Sequence, residues 1–237
     1  MSTLLAVLAH PDDETFRCGG TLALLARKGV RVHLLTATRG EAGSCGDPPL
    51  CAPAELPALR EQELRCACAA LGIELPRIIG YPDGRLAEVD AEEIVAAILA
   101  TVTQVRPQVL LTFGPDGLSG HPDHVAVGAC AAEAFRRSGE IAALYTMALP
   151  QSIVSQMGMP AVCPVPDEAV TLLVDVSPVW EAKLAAMRCH ATQVGSTPLL
   201  RAPPERQRLF FGTEYFIRAA ACGWEEDLLE EMPGGPP

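Results

Sequence analysis

Short apolar runs bounded by turn residues alternate along this chain with longer stretches whose apolar residues recur every three or four positions. Thr3–Ala9 is such a run and predicts a buried strand. Gly19–Lys28 follows as a helix that Gly29 ends, and Val30–Thr36 as a second strand. After a loop rich in Gly and Pro, Glu55–Leu71 reads as a long amphipathic helix stopped by Gly72. Arg77–Tyr81 predicts a short strand, Pro82-Asp83-Gly84 a turn, Ala91–Val105 a helix and Gln108–Phe113 a strand. A helix is expected from Pro122 to Arg137, strands over Leu144–Leu149 and Ala169–Val176, and a helix capped by Ser177 and running to His190.

This strand–helix rhythm predicts an α/β fold: a Rossmann-like, doubly wound, mostly parallel sheet with helices on both faces and right-handed crossovers. A single domain over residues 1–237 is expected, with no internal repeats. Residues 150–168 are rich in Pro and lack periodicity, so they read either as a loop over the active site or as a plain surface connection. The charge run Glu225–Glu231 reads as a solvated helix face, and residues 225–237 as a flexible tail.

Of the 237 residues, 49% are hydrophobic and 20% charged, enough for a sizeable core. The formal charge of -11 and the lack of a basic stripe argue against nucleic acid as a partner. No apolar run is long enough to span a membrane, and Thr3–Ala9 lacks the basic flank of a signal peptide, so a cytoplasmic location is expected. The nine cysteines are odd in number and contain no CxxC, which argues against a disulfide framework and a thiolate metal site. Most read as small buried hydrophobes; Cys45 and Cys51 share a loop and could pair, with free thiols the simpler expectation.

Two short segments carry the chemistry. Ala9-His10-Pro11-Asp12-Asp13-Glu14 begins where the first strand ends, and Gly120-His121-Pro122-Asp123-His124 follows the Gln108–Phe113 strand and opens a helix. Ligands of an open parallel sheet bind beyond the carboxyl ends of its strands, so both segments face one edge. Three of the five histidines lie in them. The aspartates could merely cap helices and the histidines merely fit turns. A metal site explains the pairing better. Two imidazoles and one carboxylate give zinc three ligands, a net positive charge and an open position for water. Of Asp12 and Asp13, one would ligate and the other serve as general base, and spacing does not say which.

These segments resemble those of the PIG-L (LmbE-like) de-N-acetylases, and the likeness extends over Cys18-Gly19-Gly20-Thr21, Thr38-Arg39-Gly40-Glu41, Arg60-x-x-Glu63 and Tyr81-Pro82-Asp83-Gly84. The resemblance implies His10, Asp13 and His124 as ligands of one Zn2+ per chain, with Fe2+ or another divalent ion as an alternative. It implies Asp12 as the general base, protonated His121 as the stabiliser of the oxyanion, and Arg60 and Asp83 as substrate-binding residues, with Glu14 and Arg39 helping to shape the site. The implied substrate is a small N-acetylglucosaminyl (GlcNAc) conjugate, which yields acetate and a free amine. GlcNAc-malate is favoured over GlcNAc-inositol because the chain is compact; a thiol-conjugate amidase, a secondary-metabolite sugar deacetylase and a non-catalytic sugar-binding protein are the alternatives. Homo-oligomers are possible.

Some relatives carry tyrosine two residues before the first histidine of the second motif, where this chain has Ser119. A step assisted by that tyrosine is therefore not expected here. His190, with Lys183 and Gln193, resembles a late-helix pattern that lines the site, although a histidine near a helix C-terminus also suits the helix dipole. Arg60 and Glu63, three apart on a helix, could equally form a surface ion pair.

Overall fold

β1 (Thr3–Leu8) is buried at all six positions, as a strand covered on both faces must be. It pairs in parallel with β2 (Arg31–Thr38) on one side and β4 (Val109–Phe113) on the other, with Ala6 opposite Leu34 and Leu111. The computed structural model describes residues 2–158, 162–195, 198–222 and Leu229. Its sheet has seven strands in the order β3-β2-β1-β4-β5-β7-β6, with β3 at Arg77–Tyr81, β5 at Ala143–Ala148, β6 at Leu172–Asp175 and β7 at Thr213–Ala221. The first five strands are parallel, whereas β7 runs antiparallel to both β5 and β6.

The helices are α1 (Asp13–Phe16), α2 (Gly19–Arg27), α3 (Leu56–Leu71), α4 (Ala91–Val105), α5 (Pro122–Ser138), α6 (Gln151–Met157), α7 (Trp180–Cys189), α8 (Ala191–Val194) and α9 (Pro204–Phe211). α2, α3 and α7 pack on one another, and α4 packs on α5. From β1 the chain winds outward through β2 to β3, then returns to β4 and winds the other way. The reversal makes the carboxyl ends of β1 and β4 a topological switch point, the place where such sheets leave a crevice. At the second of these ends the backbone of α5 lies directly on β4. A Cβ on Gly128 would stand 2.8 Å from the Phe113 carbonyl oxygen, so only glycine permits this approach.

The predicted doubly wound sheet is present, and most element boundaries agree within one or two residues. β7 and α9 were not anticipated. The expected strand Ala169–Val176 is shorter, because Asp167–Ala169 forms a 3-10 turn. Within residues 150–168 lies α6, followed by a return in which Cys163 N–H donates to Leu118 O and Val165 N–H to Leu149 O. The expected tail over 225–237 lies outside the described residues apart from Leu229. The expectation of unpaired cysteines is corrected at one place. Cys66 of α3 and Cys189 of α7 form a disulfide with Cα atoms 5.7 Å apart, a pairing across 123 residues of sequence. Among the described residues, no helix is long and apolar enough to cross a membrane.

Candidate metal centre

The turn after β1 is built by its own acidic side chains. Asp13 Oδ2 accepts the N–H groups of His10 (2.7 Å) and Ala9 (3.2 Å), and Glu14 Oε2 accepts that of Asp12 (2.9 Å). Between them Asp12 is held at φ 115, a conformation that residues with a side chain rarely adopt, and such strain persists only where surrounding bonds enforce it. After β4 the chain turns through Gly117 and Gly120, both at positive φ, and enters α5 with Pro122 at its first turn. His121 caps that helix by accepting the Asp123 N–H at Nδ1 (3.2 Å).

These two turns bring three candidate ligand side chains together. His10 Nδ1 lies 3.2 Å from His124 Nε2 and 3.6 Å from Asp13 Oδ2, and Asp13 Oδ1 lies 3.3 Å from His124 Nε2. Ligand atoms placed tetrahedrally at zinc–ligand distances of ~2.0–2.1 Å would stand ~3.3–3.4 Å apart, so the spacing fits. The tautomers fit too. His124 Nδ1 faces Gly117 O at 2.9 Å and must donate to it, which leaves Nε2 to take either a proton or a metal. His10 Nε2 faces Asp83 Oδ1 (3.0 Å) and Asp123 Oδ2 (3.2 Å), which leaves Nδ1 to take either a proton or a metal. Two ring nitrogens and a carboxylate therefore face one spot, where a bound cation can take the place of the ring protons.

Among the described residues, two further triads also lie close enough together to reach a single ion, His10–His121–His124 and His10–Asp83–Asp123. The second has its carboxylates already engaged. Asp83 Oδ2 accepts the Ala42 N–H, and Asp123 accepts those of Gly84 and Leu86. That cluster orients the His10 ring from behind, as carboxylates behind metal-bound histidines do. Asp123 is fully buried, and this backing function was missed in the sequence, where it read only as a cap.

The site demands positive charge. Burial lowers the His10 pKa, but Asp123, Asp13 and Asp83 outweigh it and push the imidazole up to about 12. Burial likewise opposes charge on Asp13, yet His124 and His10 hold its carboxyl well below the usual carboxylate range. Asp12 behaves differently. Burial raises its carboxyl to about 6, with Arg60 opposing and Asp13 reinforcing. Burial and the charges of His10 and His124 lower the His121 pKa, which favours the neutral ring. With Nδ1 occupied as an acceptor, neutral His121 carries its proton on Nε2 and is a donor without being protonated further. Its ring centroid lies 4.8 Å from that of His10 and 4.9 Å from that of His124.

A pocket of about 270 Å³ opens above the centre, and Asp12, Arg60, Asp83, His121 and Gln193 contribute to its walls. Arg60 is buried and heavily engaged. Nη1 donates to Gly40 O (2.8 Å), Nη2 to Pro11 O, and Nη2 lies 3.2 Å from Asp12 Oδ2. The alternative of an Arg60–Glu63 surface pair is excluded: both are buried, and Glu63 instead accepts the N–H and hydroxyl of Thr192 at 2.8 and 2.6 Å. Gln193, the next residue, donates to Ser44 O and holds the 40–46 loop beside the pocket. His190 is buried against Glu14, whereas Lys183 points away and pairs with Glu214. Arg39 is exposed and does not line the pocket.

The family described as PIG-L, GlcNAc-PI de-N-acetylase, matches residues 5–135, more than half of the chain and both motif segments. A 1D-myo-inositol 2-acetamido-2-deoxy-alpha-D-glucopyranoside deacetylase from Geodermatophilus obscurus is 35% identical, with 98% of each chain covered. Among solved structures, the conserved protein TT1542 from Thermus thermophilus superposes with a TM-score of 0.68 at 25% identity, covering 95% of this chain and 98% of that one. A 4-carboxy-2-hydroxymuconate hydratase from Pseudomonas putida KT2440 superposes with a TM-score of 0.70 at 20% identity, covering 96% and 100%, a likeness of fold alone.

Proposed function

The chain belongs to the PIG-L family of de-N-acetylases, and from that premise we propose that it is a zinc-dependent hydrolase that removes the acetyl group from a small N-acetylglucosaminyl conjugate. The observation that carries the reading is the convergence of His10 Nδ1, His124 Nε2 and the Asp13 carboxylate within 3.2–3.6 Å of one another, while the outer nitrogens of both rings are engaged by Asp83, Asp123 and the Gly117 carbonyl. These three residues would hold the ion. Bound there, a divalent cation supplies Lewis acidity that polarises the acyl carbonyl and acidifies water.

The remaining work falls to the chain's own groups. Asp12 stands at the pocket wall with a carboxyl raised to about 6, ionised at neutral pH yet basic enough to take a proton from attacking water. It returns that proton to the departing amine, so RNH–CO–CH3 and water give acetate and the glucosaminyl ammonium. His121, neutral and protonated at Nε2, donates a hydrogen bond to the charge developing on the carbonyl oxygen. Asp83 and Asp123 keep the His10 ring aligned. Arg60 positions the Asp12 carboxylate and, with Asp83, flanks the space for the sugar.

For the aglycone, a cyclic polyol such as inositol is the better choice over malate. The expected separation by chain length does not apply, because this chain and a relative named for an inositol conjugate align over 98% of each. The test is release of acetate from GlcNAc-inositol and GlcNAc-malate by protein of known zinc content. The reading expects turnover that a chelator abolishes and zinc restores. Bound zinc with no acetate released from any N-acetylglucosaminyl conjugate would sink it.

A further inference from the structure

Beside the polar pocket lies a second cavity of about 170 Å³, and the two share Asp13 and His124 as common walls. Their chemistry differs. The first is lined by carboxylates, Arg60 and Gln193. The second is walled by Phe113, Leu118, Met147, Leu149 and Val162. Phe113 stacks on the His124 ring with centroids 4.0 Å apart, so the apolar wall reaches the metal centre itself. Arg17 also borders the cavity but is committed to Phe210, its guanidinium 3.7 Å from the ring centroid and Nη1 donating to the carbonyl oxygen. Ser119, small and exposed, stands at the mouth.

A scissile amide has two substituents on opposite sides of its carbonyl. With the carbonyl at Asp13 and His124, and the amine with its polar sugar in the first pocket, the acyl chain points to the second. An acetyl methyl is about the size of one water, ~30 Å³ of liquid volume, and would leave most of this cavity empty. We propose that the Phe113–Met147–Val162 chamber is an acyl subsite that admits straight-chain N-acyl groups of up to about four to six carbons, so that the hydrolase is not confined to acetyl. The inference rests on the amide-hydrolase reading and extends it. The reaction is unchanged in its balance: water adds to the carbonyl carbon, the C–N bond breaks, and a carboxylate and an ammonium leave.

The experiment measures kcat/KM of the zinc-loaded full chain on N-acetyl, N-propionyl, N-butyryl and N-decanoyl glucosaminyl inositol, with amine release as the readout. Each methylene that finds apolar wall should raise kcat/KM several-fold up to butyryl, and decanoyl, too long for the chamber, should fall below butyryl. Ser119→Phe narrows the mouth and should lower the butyryl-to-acetyl ratio at least about tenfold; a ratio is insensitive to the fraction of protein that folds. As a readout free of turnover, butyrate should raise the melting temperature of the zinc-loaded protein more than acetate does at equal concentration. Acetyl turnover with butyryl rejected, or acetate protecting as well as butyrate, overturns the subsite. Failure on every acyl sugar overturns the deacetylase reading instead, and the carboxylate comparison then still decides the chamber.

Discussion

His190 Nε2 lies 2.6 Å from Glu14 Oε1, and both side chains are fully buried. The other Glu14 oxygen accepts the Asp12 N–H at 2.9 Å. A residue at the end of α7 thus reaches, through one carboxylate, the strained backbone of the proposed base. Burial alone would lower the His190 pKa, but Glu14 and, more weakly, Asp12 raise it, and the short contact fixes Glu14 in one rotamer.

From this relationship, Glu14→Ala should release Asp12 from its positive φ and misplace its carboxylate. We expect kcat to fall on the order of 10²-fold, the loss typical when a reacting group is displaced by about an ångström, while zinc content stays at one per chain. Glu14→Gln keeps an acceptor for Asp12 and should recover part of the loss. Equal kcat in Glu14→Ala and wild type would show that the turn does not need this anchor.

The raised Asp12 carboxyl sets a pH profile. The active form is ionised, so kcat/KM should fall tenfold per pH unit below an acid limb at or under about 6, since a bound cation adds charge that favours ionisation. Asp12→Asn should remove that limb and reduce kcat by about 10²–10⁴-fold with metal still bound. An unchanged acid limb in Asp12→Asn would assign the titration to another group.

How legible these features are in the sequence depends on how far apart the partners lie. The proposed metal ligands sit on turns directly after β1 and β4, so strand patterning and two His-Pro-Asp segments suffice to place them at one sheet edge. Asp123 is hidden in the same motif, because a helix-cap position and a carboxylate behind His10 look alike in one dimension. Glu63 meets Thr192 across 129 residues and Cys66 meets Cys189 across 123, pairings that no local pattern encodes. β7 escapes notice because its apolar alternation is broken by a buried acid, Glu214, and its second half is largely exposed.

Asp123 offers a test of that hidden layer. Removing a carboxylate behind a metal-bound histidine typically costs 10–100-fold in metal affinity. Asp123→Ala should weaken zinc binding by that order in a chelator-competition titration, although Asp83 still faces His10 Nε2 at 3.0 Å. It also leaves the Gly84 and Leu86 N–H groups without their acceptor, so Asp123→Asn, which restores one oxygen, is the informative companion. Unaltered zinc affinity in both variants would mean that Asp83 alone suffices.

Away from the candidate metal centre, Glu214 holds three buried donors at once: Lys183 Nζ at 2.7 Å, Gly20 N–H at 2.8 Å and Thr21 N–H at 2.7 Å. It ties β7 to the first turn of α2 and to α7, the helix that leads to His190. Lys183→Met strands this carboxylate without a counter-charge and should destabilise the fold by about 3–5 kcal/mol in denaturant titrations. Glu214→Gln acts differently, because Lys183 can escape by losing its proton. Burial already lowers the Lys183 pKa, with Glu214 the group that opposes the drop; without the carboxylate the folded-state pKa falls further. Between that value and the ordinary lysine pKa near ~10.4 the unfolded chain binds the proton and the folded chain does not, so stability rises with pH across the window. The deficit of Glu214→Gln relative to wild type should therefore shrink between pH 7 and pH 9.5, whereas that of Lys183→Met should not. Parallel losses for the two variants at both pH values would show that the backbone donors of α2, rather than the lysine charge, are what Glu214 is there to satisfy.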